Sequence, residues 1–208
     1  MLFLNSKNFK KMKRILFFVV ISIVFIACKE TIKPRPYAYY RISFPPHKYK
    51  SFVSDTCPYT FEMSEYASIT KRNVRENNPC WFNVAYPQYK AYIHLTLRKV
   101  SNNLDSLMDD SYTLVYKHTV KAEAIDAKDF RNDQKNIFAT VFYIKGNAAS
   151  PMQFHITDTT NYFLRGSLYF EVTPNSDSLA PAIEYIEQDI VRLVESFEWK
   201  KSKCNACF

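Results

Sequence analysis

The amino terminus limits how much of this chain can enter a fold. A stretch with five basic residues is followed by an apolar run over residues 15–27 that only Ser22 interrupts. The run is too short to span a bilayer. It also has the order of a secretory signal, with a charged region, an apolar region and a small residue before the cleavage point. We therefore expect residues 1–27 to be removed on export, so that only the remaining chain folds.

The four residues around the predicted cleavage point form a second motif. They read Phe25-Ile26-Ala27-Cys28, which resembles the lipobox of bacterial lipoproteins, although Phe25 stands where leucine is usual. In that family a peptidase cuts before a cysteine that already carries diacylglycerol. The resemblance implies that Cys28 is the lipidated first residue of the mature chain and holds it on a membrane. An ordinary signal peptide with a chance cysteine is the alternative.

Removal of the signal changes what the charge implies about partners. Five of the 28 basic residues and none of the 20 acidic residues precede Cys28, so the net charge falls from +8 to +3. Residues 29–50 hold six basic residues against one acidic residue, and the chain from Ser51 onward is close to neutral. Nucleic-acid binding needs a basic face on the folded domain itself. We therefore expect no nucleic-acid partner and interpret residues 28–50 as a proline-rich basic tether.

The remaining sequence has the length and composition of one domain. Residues 51–200 contain no linker, repeat or low-complexity segment, and about 150 residues suit a single core. The chain has 17 phenylalanines and 15 tyrosines but two glycines, which predicts a bulky aromatic core. We interpret residues 201–208 as a C-terminal tail.

Alternating apolar and polar residues predict five strands. The first two flank a turn-like segment and are expected to form a hairpin. The last carries Gly166 on its apolar face, where a missing side chain lets another group approach closely. The predicted strands cover residues 81–86, 91–98, 137–145, 152–157 and 162–172.

Two further segments have helical spacing. Residues 104–118 place apolar side chains three and four positions apart, with acidic residues near the start and basic ones at the end. The second segment carries an apolar stripe from Leu179 to Phe197. Such a stripe, following strands with one apolar face each, should pack on their sheet. The sequence therefore predicts an α+β fold with a predominantly antiparallel sheet and packed amphipathic helices.

The titratable residues form no recognised catalytic motif. Asp109 and Asp110 are neighbours in a predicted helix, so their carboxylates do not face each other. We expect no enzyme activity, no cofactor and no metal site. A cleft lined by His94, His155 and Arg165 would instead favour a ligand-binding module. The four histidines lack the short spacings of metal sites: His47, His94, His118 and His155.

The mature chain has four cysteines besides Cys28, which allow three pairings. We favour a bridge between Cys57 and Cys80, because it would close a loop of about two dozen residues and stabilise the fold by roughly 3 kcal/mol. Cys204 and Cys207 have the spacing of a redox pair, but they follow a helix where redox pairs begin one. A tail disulfide, free thiols or a poor metal site stay open for them.

Longer strings resemble the gliding motility lipoprotein GldD family. The clearest are residues 146–151, 157–170 and 174–181, and the likeness extends to residues 103–107, 116–121, 80–81 and 198–200. The resemblance implies an envelope lipoprotein needed for gliding motility and the associated type IX secretion machinery, with other proteins of that complex as partners. It also implies no established catalytic residues. The order of elements resembles the PsbP-like α/β/α sandwich.

Two functional classes therefore stay open. The first is a non-catalytic component of an envelope machine. The second is a periplasmic module that binds a small ligand or peptidoglycan. For both we expect a lipid-anchored protein of the cell envelope, on the outer membrane facing the periplasm, because Lys29 beside Cys28 differs from the aspartate that retains lipoproteins on the inner membrane.

Overall fold

A computed structural model describes residues 43–71 and 78–200. Within these residues the chain forms ten strands and two α-helices. Cys28, Cys204, Cys207, the signal and most of the tether lie outside the described residues. In chain order the elements are β1 (Tyr49–Val53), β2 (Tyr59–Ser64), β3 (Ser68–Lys71), β4 (Phe82–Tyr86), β5 (Ala91–Lys99), α1 (Leu104–Tyr116), β6 (Ala122–Asn132), β7 (Ile137–Gly146), β8 (Met152–Thr157), β9 (Tyr162–Phe170), α2 (Ser176–Glu195) and β10 (Glu198–Trp199).

Seven strands form one large antiparallel sheet in the order β3-β4-β5-β9-β8-β7-β6. The predicted hairpin is present as β4 and β5, which a short 3₁₀ turn at Pro87–Tyr89 connects. The antiparallel sheet with its two helices confirms the predicted α+β class.

One face of this sheet carries the main core. Leu95, Phe154 and Leu164 point from neighbouring strands toward α2, which buries Ile186 and Ile190 against them. The helix begins where the Asn175 side chain accepts a hydrogen bond from the Ser178 backbone. A second sheet, in the order β1-β2-β10, adds further aromatic side chains to the same core.

The opposite face of the large sheet carries α1. This helix buries only Ser111 and Val115. Val115 packs with Phe142 and Ile144 of β7 in a small cluster separate from the main core. One helix therefore lies on each face of the large sheet, and α1 covers its face only in part.

The chain joins the domain earlier than the predicted boundary at residue 51. Strand β1 begins at Tyr49, and the rings of Phe44 and His47 stack on Tyr185 of α2 at centroid distances of 4.9 and 4.3 Å. Proline-rich composition predicts an extended tether here, but a sequence pattern cannot show that an extended segment lies on a distant helix.

Five strands are absent from the sequence prediction: β1, β2, β3, β6 and β10. Strand β6 has no buried residue, so no apolar alternation marks it. The predicted helix over residues 104–118 ends as an α-helix at Tyr116 and continues as a 3₁₀ turn, Lys117–Val120. The last predicted strand stops at Phe170 rather than residue 172.

The favoured disulfide is present between Cys57 and Cys80, whose Cα atoms lie 5.5 Å apart. Both residues are buried in the main core. The bridge joins the loop before β2 to the residues before β4. Among the described residues, no helix is both long enough and apolar enough to cross a bilayer.

Candidate functional site

Side chains at alternate positions of β5 border two cavities on the face that α1 leaves partly open, one lined by His94 and the other by Thr96. Successive strand residues point to opposite faces, so Tyr92, His94, Thr96 and Arg98 share this face while Ile93, Leu95 and Leu97 enter the core. Tyr92 and Arg98 are six positions apart on the strand, a span of about 20 Å. The side of α1 and the edge strand β3 flank this row of side chains. We call this surface the β5 groove.

Aromatic rings mark one end of the β5 groove. The His94 ring lies beside the rings of Tyr92 and Tyr169, which are cross-strand partners, at centroid distances of 4.7 and 5.2 Å. Its Nδ1 atom is 2.6 Å from Oδ1 of Asn83 on β4. Tyr92, His94 and Asn83 border a cavity of about 740 Å³ that Lys71 of β3 also lines. This end of the groove therefore combines flat ring surfaces with hydrogen-bonding groups.

Guanidinium groups mark the other end. The Arg98 guanidinium carbon lies 4.8 Å from the ring centre of Trp81, whose Nε1 donates to the Leu97 carbonyl at 2.8 Å. On β9, Nη2 of Arg165 donates to Oε1 of Gln153 at 2.8 Å. Trp81, Arg98 and Arg165 line a cavity of about 280 Å³ together with Asp110 and Ser111 of α1.

His155 lies next to Arg165 across the strands but beneath α1 rather than in the groove. It is 2% exposed, its Nδ1 is 3.2 Å from Oγ of Ser111, and its ring stacks on Phe163 at 5.4 Å. Burial lowers its pKa to about 4, against a smaller opposing effect of Asp129. The imidazole is therefore neutral at pH 7.

The structure does not bring His94, His155 and Arg165 together in one cleft. Arg165 and His94 line neighbouring cavities on one face of the sheet, and His155 is a buried partner behind them. His118 lies in the 3₁₀ turn after α1, where burial and the charge of Arg165 lower its pKa. Asp110 faces the groove, whereas Asp109 is an exposed residue of α1. Within the described chain, no group of histidine, cysteine and carboxylate side chains has the arrangement of a metal site.

A buried carboxylate forms a second polar cluster, which the sequence prediction misses. The Asp189 side chain on α2 is 1% exposed. Its Oδ1 is 2.8 Å from Nδ1 of His47, and its Oδ2 accepts a hydrogen bond from the Tyr86 hydroxyl at 3.1 Å. Burial raises the Asp189 pKa, although these hydrogen bonds act in the opposite direction.

This cluster links the start of the domain to its last helix. His47 and Asp189 are in contact although they are 142 residues apart in sequence. One signal for it is visible in the sequence. Asp189 follows Ile186 by three positions and precedes Ile190, so it falls within the apolar stripe of α2. A carboxylate inside such a stripe needs hydrogen-bonding partners from another element.

Comparisons with known proteins identify the family of this chain. The solution structure of cyanobacterial PsbP (CyanoP) from Synechocystis sp. PCC 6803 is similar over 74% of this chain and 94% of its own, with 9% identity and a TM-score of 0.47. No curated protein matches the chain. A profile of the gliding motility lipoprotein GldD family matches residues 29–199. The chain therefore belongs to the gliding motility lipoprotein GldD family.

Proposed function

We propose that the mature protein is a lipid-anchored component required for gliding motility and for the associated type IX secretion machinery. It acts by contact with other proteins of that machinery and not by turnover of a substrate. The observation that carries this proposal is the family match, which begins at residue 29 and ends at residue 199. A match over nearly all of the predicted mature chain supports a role shared with the family as a whole.

The proposed anchor is a lipid on Cys28 after removal of residues 1–27. The family match supports it, because the matched family is one of lipoproteins. We place the domain on the outer membrane, facing the periplasm. The Cys57–Cys80 disulfide is compatible with that location, since disulfides persist in oxidising compartments.

Replacement of the anchor cysteine tests the proposal. A strain that lacks the gene is complemented with the wild type, with Cys28→Ser, or with Cys204→Ser as a matched control. We expect Cys28→Ser to lose acyl labelling, spreading and secretion while the control keeps all three. Antibody detection in cell fractions establishes that each variant accumulates.

Two outcomes would contradict the proposal. Acyl labelling that persists in Cys28→Ser would show that lipid is attached elsewhere. Full motility and secretion with an unlipidated protein at normal abundance would show that the anchor is not needed for function.

The β5 groove favours a second candidate function, a periplasmic module that binds a small ligand or peptidoglycan. Aromatic rings and guanidinium groups lie along one row of side chains that α1 leaves partly open. Ligand sites commonly combine apolar or aromatic walls with a few placed polar groups. Both functions are compatible, since an assembly component can also hold a wall polymer.

A further inference from the structure

We infer that the β5 groove binds an elongated glycan that carries carboxylate groups. This inference rests on the second candidate function and names its ligand class. Four features of the groove lead to it: the pairing of its floor strand, the rings at one end, the guanidinium group held at the other, and the charge of its lining.

The floor of the groove offers mainly side chains rather than open backbone. Strand β5 pairs with β9 along its whole length and with β4 over residues 91–95, and beyond that pairing the Leu97 carbonyl accepts a hydrogen bond from Trp81. Most of its backbone donors and acceptors are therefore used within the fold. A peptide that binds by adding a strand needs an exposed sheet edge, so the occupant of this groove is a molecule that side chains recognise.

The aromatic end suits the face of a sugar ring. Tyr92, His94 and Tyr169 are each partly exposed. The ring centre of His94 lies 4.7 Å from that of Tyr92 and 5.2 Å from that of Tyr169. A pyranose ring has an apolar face of C–H groups and a rim of hydroxyls. Aromatic side chains pack against such a face, and their polar tips, together with the Asn83 amide beside them, bond to the rim.

The opposite end suits a carboxylate. The Arg98 guanidinium lies over the Trp81 indole, and the indole is fixed by its hydrogen bond to Leu97. A guanidinium stacked on an aromatic face keeps its N–H donors at its edge, where a carboxylate can accept two of them. Because Trp81 already holds this group, less conformational entropy is lost when a ligand binds.

The charge of the lining favours an anion. Four basic side chains line the two cavities against two acidic ones, although the domain as a whole is close to neutral. The basic residues are Lys71, Lys90, Arg98 and Arg165, and the acidic residues are Asp110 and Glu171. Tyr92 and Arg98 lie about 20 Å apart along the strand, so a single ligand that reaches both must be a chain of linked rings.

Calorimetric titration of the full mature protein in detergent tests this inference. Three probes are used: peptidoglycan strands freed of their peptides, a galacturonic acid oligomer, and a neutral N-acetylglucosamine oligomer. We expect the neutral oligomer to bind about tenfold or more weakly than a carboxylated one, since hydrogen bonds to charged groups are the stronger kind. Added salt should weaken binding of the carboxylated probes. The two carboxylated probes distinguish a wall strand from another acidic polysaccharide.

Two variants and one matched control locate the site. Arg98→Gln and Tyr92→Ala should each weaken binding about tenfold or more. Arg131→Gln is the control, because Arg131 also lies over an aromatic ring, that of Phe138 at 5.4 Å, but on strand β6 at the far edge of the sheet. It should bind like the wild type. Thermal unfolding of each variant establishes that it is folded.

Three results would overturn the inference: no binding of the folded wild type to either carboxylated probe, equal binding of the neutral probe, or equal loss in Arg98→Gln and Arg131→Gln. Each concerns the groove alone. The effect of Cys28→Ser on motility is independent of them, so the two proposals can fail separately.

Discussion

Gly166 is the position where the smallest change should have a large effect on stability. It lies on β9 between Leu95 and Phe154 of the neighbouring strands. A Cβ atom placed there would lie 2.1 Å from Cζ and 2.3 Å from Cε1 of Phe154. Carbon atoms in good contact are about 3.5–4.0 Å apart, so the ring must move by more than about 1 Å. Phe154 is 1% exposed in the main core and has little room to move.

The expected cost of Gly166→Ala follows from two opposing effects. Overpacking of a dense core destabilises by about 1–3 kcal/mol. Loss of glycine from the unfolded chain stabilises by about 0.4–1 kcal/mol. We therefore expect the free energy of unfolding to fall by about 1–2 kcal/mol, measured by urea denaturation with Trp81 and Trp199 fluorescence.

A double-mutant cycle separates this contact from a general loss of stability. Phe154→Leu removes the ring atoms that meet the new Cβ, so the double variant should be more stable than the sum of the two single changes predicts, by about 1 kcal/mol or more. Wild-type stability in Gly166→Ala, or simple additivity in the double variant, would refute the reasoning.

Three further predictions concern the disulfide and the two buried titratable groups. Replacing Cys57 and Cys80 together by serine should lower the free energy of unfolding by about 3 kcal/mol, and reductant should then have no further effect on the variant. Because burial lowers the His155 pKa to about 4, the unfolded chain binds this proton first, and stability from this group is lost as pH falls from 6.5 toward 4. The advantage of the wild type over His155→Gln should therefore shrink in urea titrations over that range, by roughly 2–3 kcal/mol. Burial raises the Asp189 pKa above 3.8, so the folded state takes up this proton before the unfolded chain does, and the pH dependence has the opposite sign. The free energy of unfolding of the wild type should therefore rise relative to that of Asp189→Asn as pH falls from neutral toward that value. Differences with the reverse sign would contradict these assignments.

The sequence predicts the strands and helices that bury one face and expose the other. Strand β5 has core on one face and the groove on the other, which produces strict alternation from Ala91 to Leu97. Helix α2 packs along one side, which produces the stripe ending at Phe197. Strand β6 is an edge strand with no fully buried residue and β10 has two residues, so neither shows an alternating apolar pattern.

The candidate site depends on strand register, which a single sequence does not show. Arg165 and His155 are ten positions apart in sequence and become neighbours because β8 and β9 pair at those residues. The Arg98 and Trp81 pair likewise depends on how β4 meets β5. The contact between His47 and Asp189 joins segments whose partnership no local pattern records. The position of Asp189 in the apolar stripe of α2 predicts that it has hydrogen-bonding partners, but it does not identify them.

The central claim is that the protein acts as a stoichiometric, membrane-anchored part of a machine and not as a catalyst. Controlled depletion measures this directly. The gene is placed under a titratable promoter, and the number of protein copies per cell is compared with spreading and with secretion. We expect both activities to fall in proportion to copy number once the protein becomes limiting, since each machine needs its own copy. A catalyst would sustain both at a small fraction of the normal copy number, and that result would contradict the account.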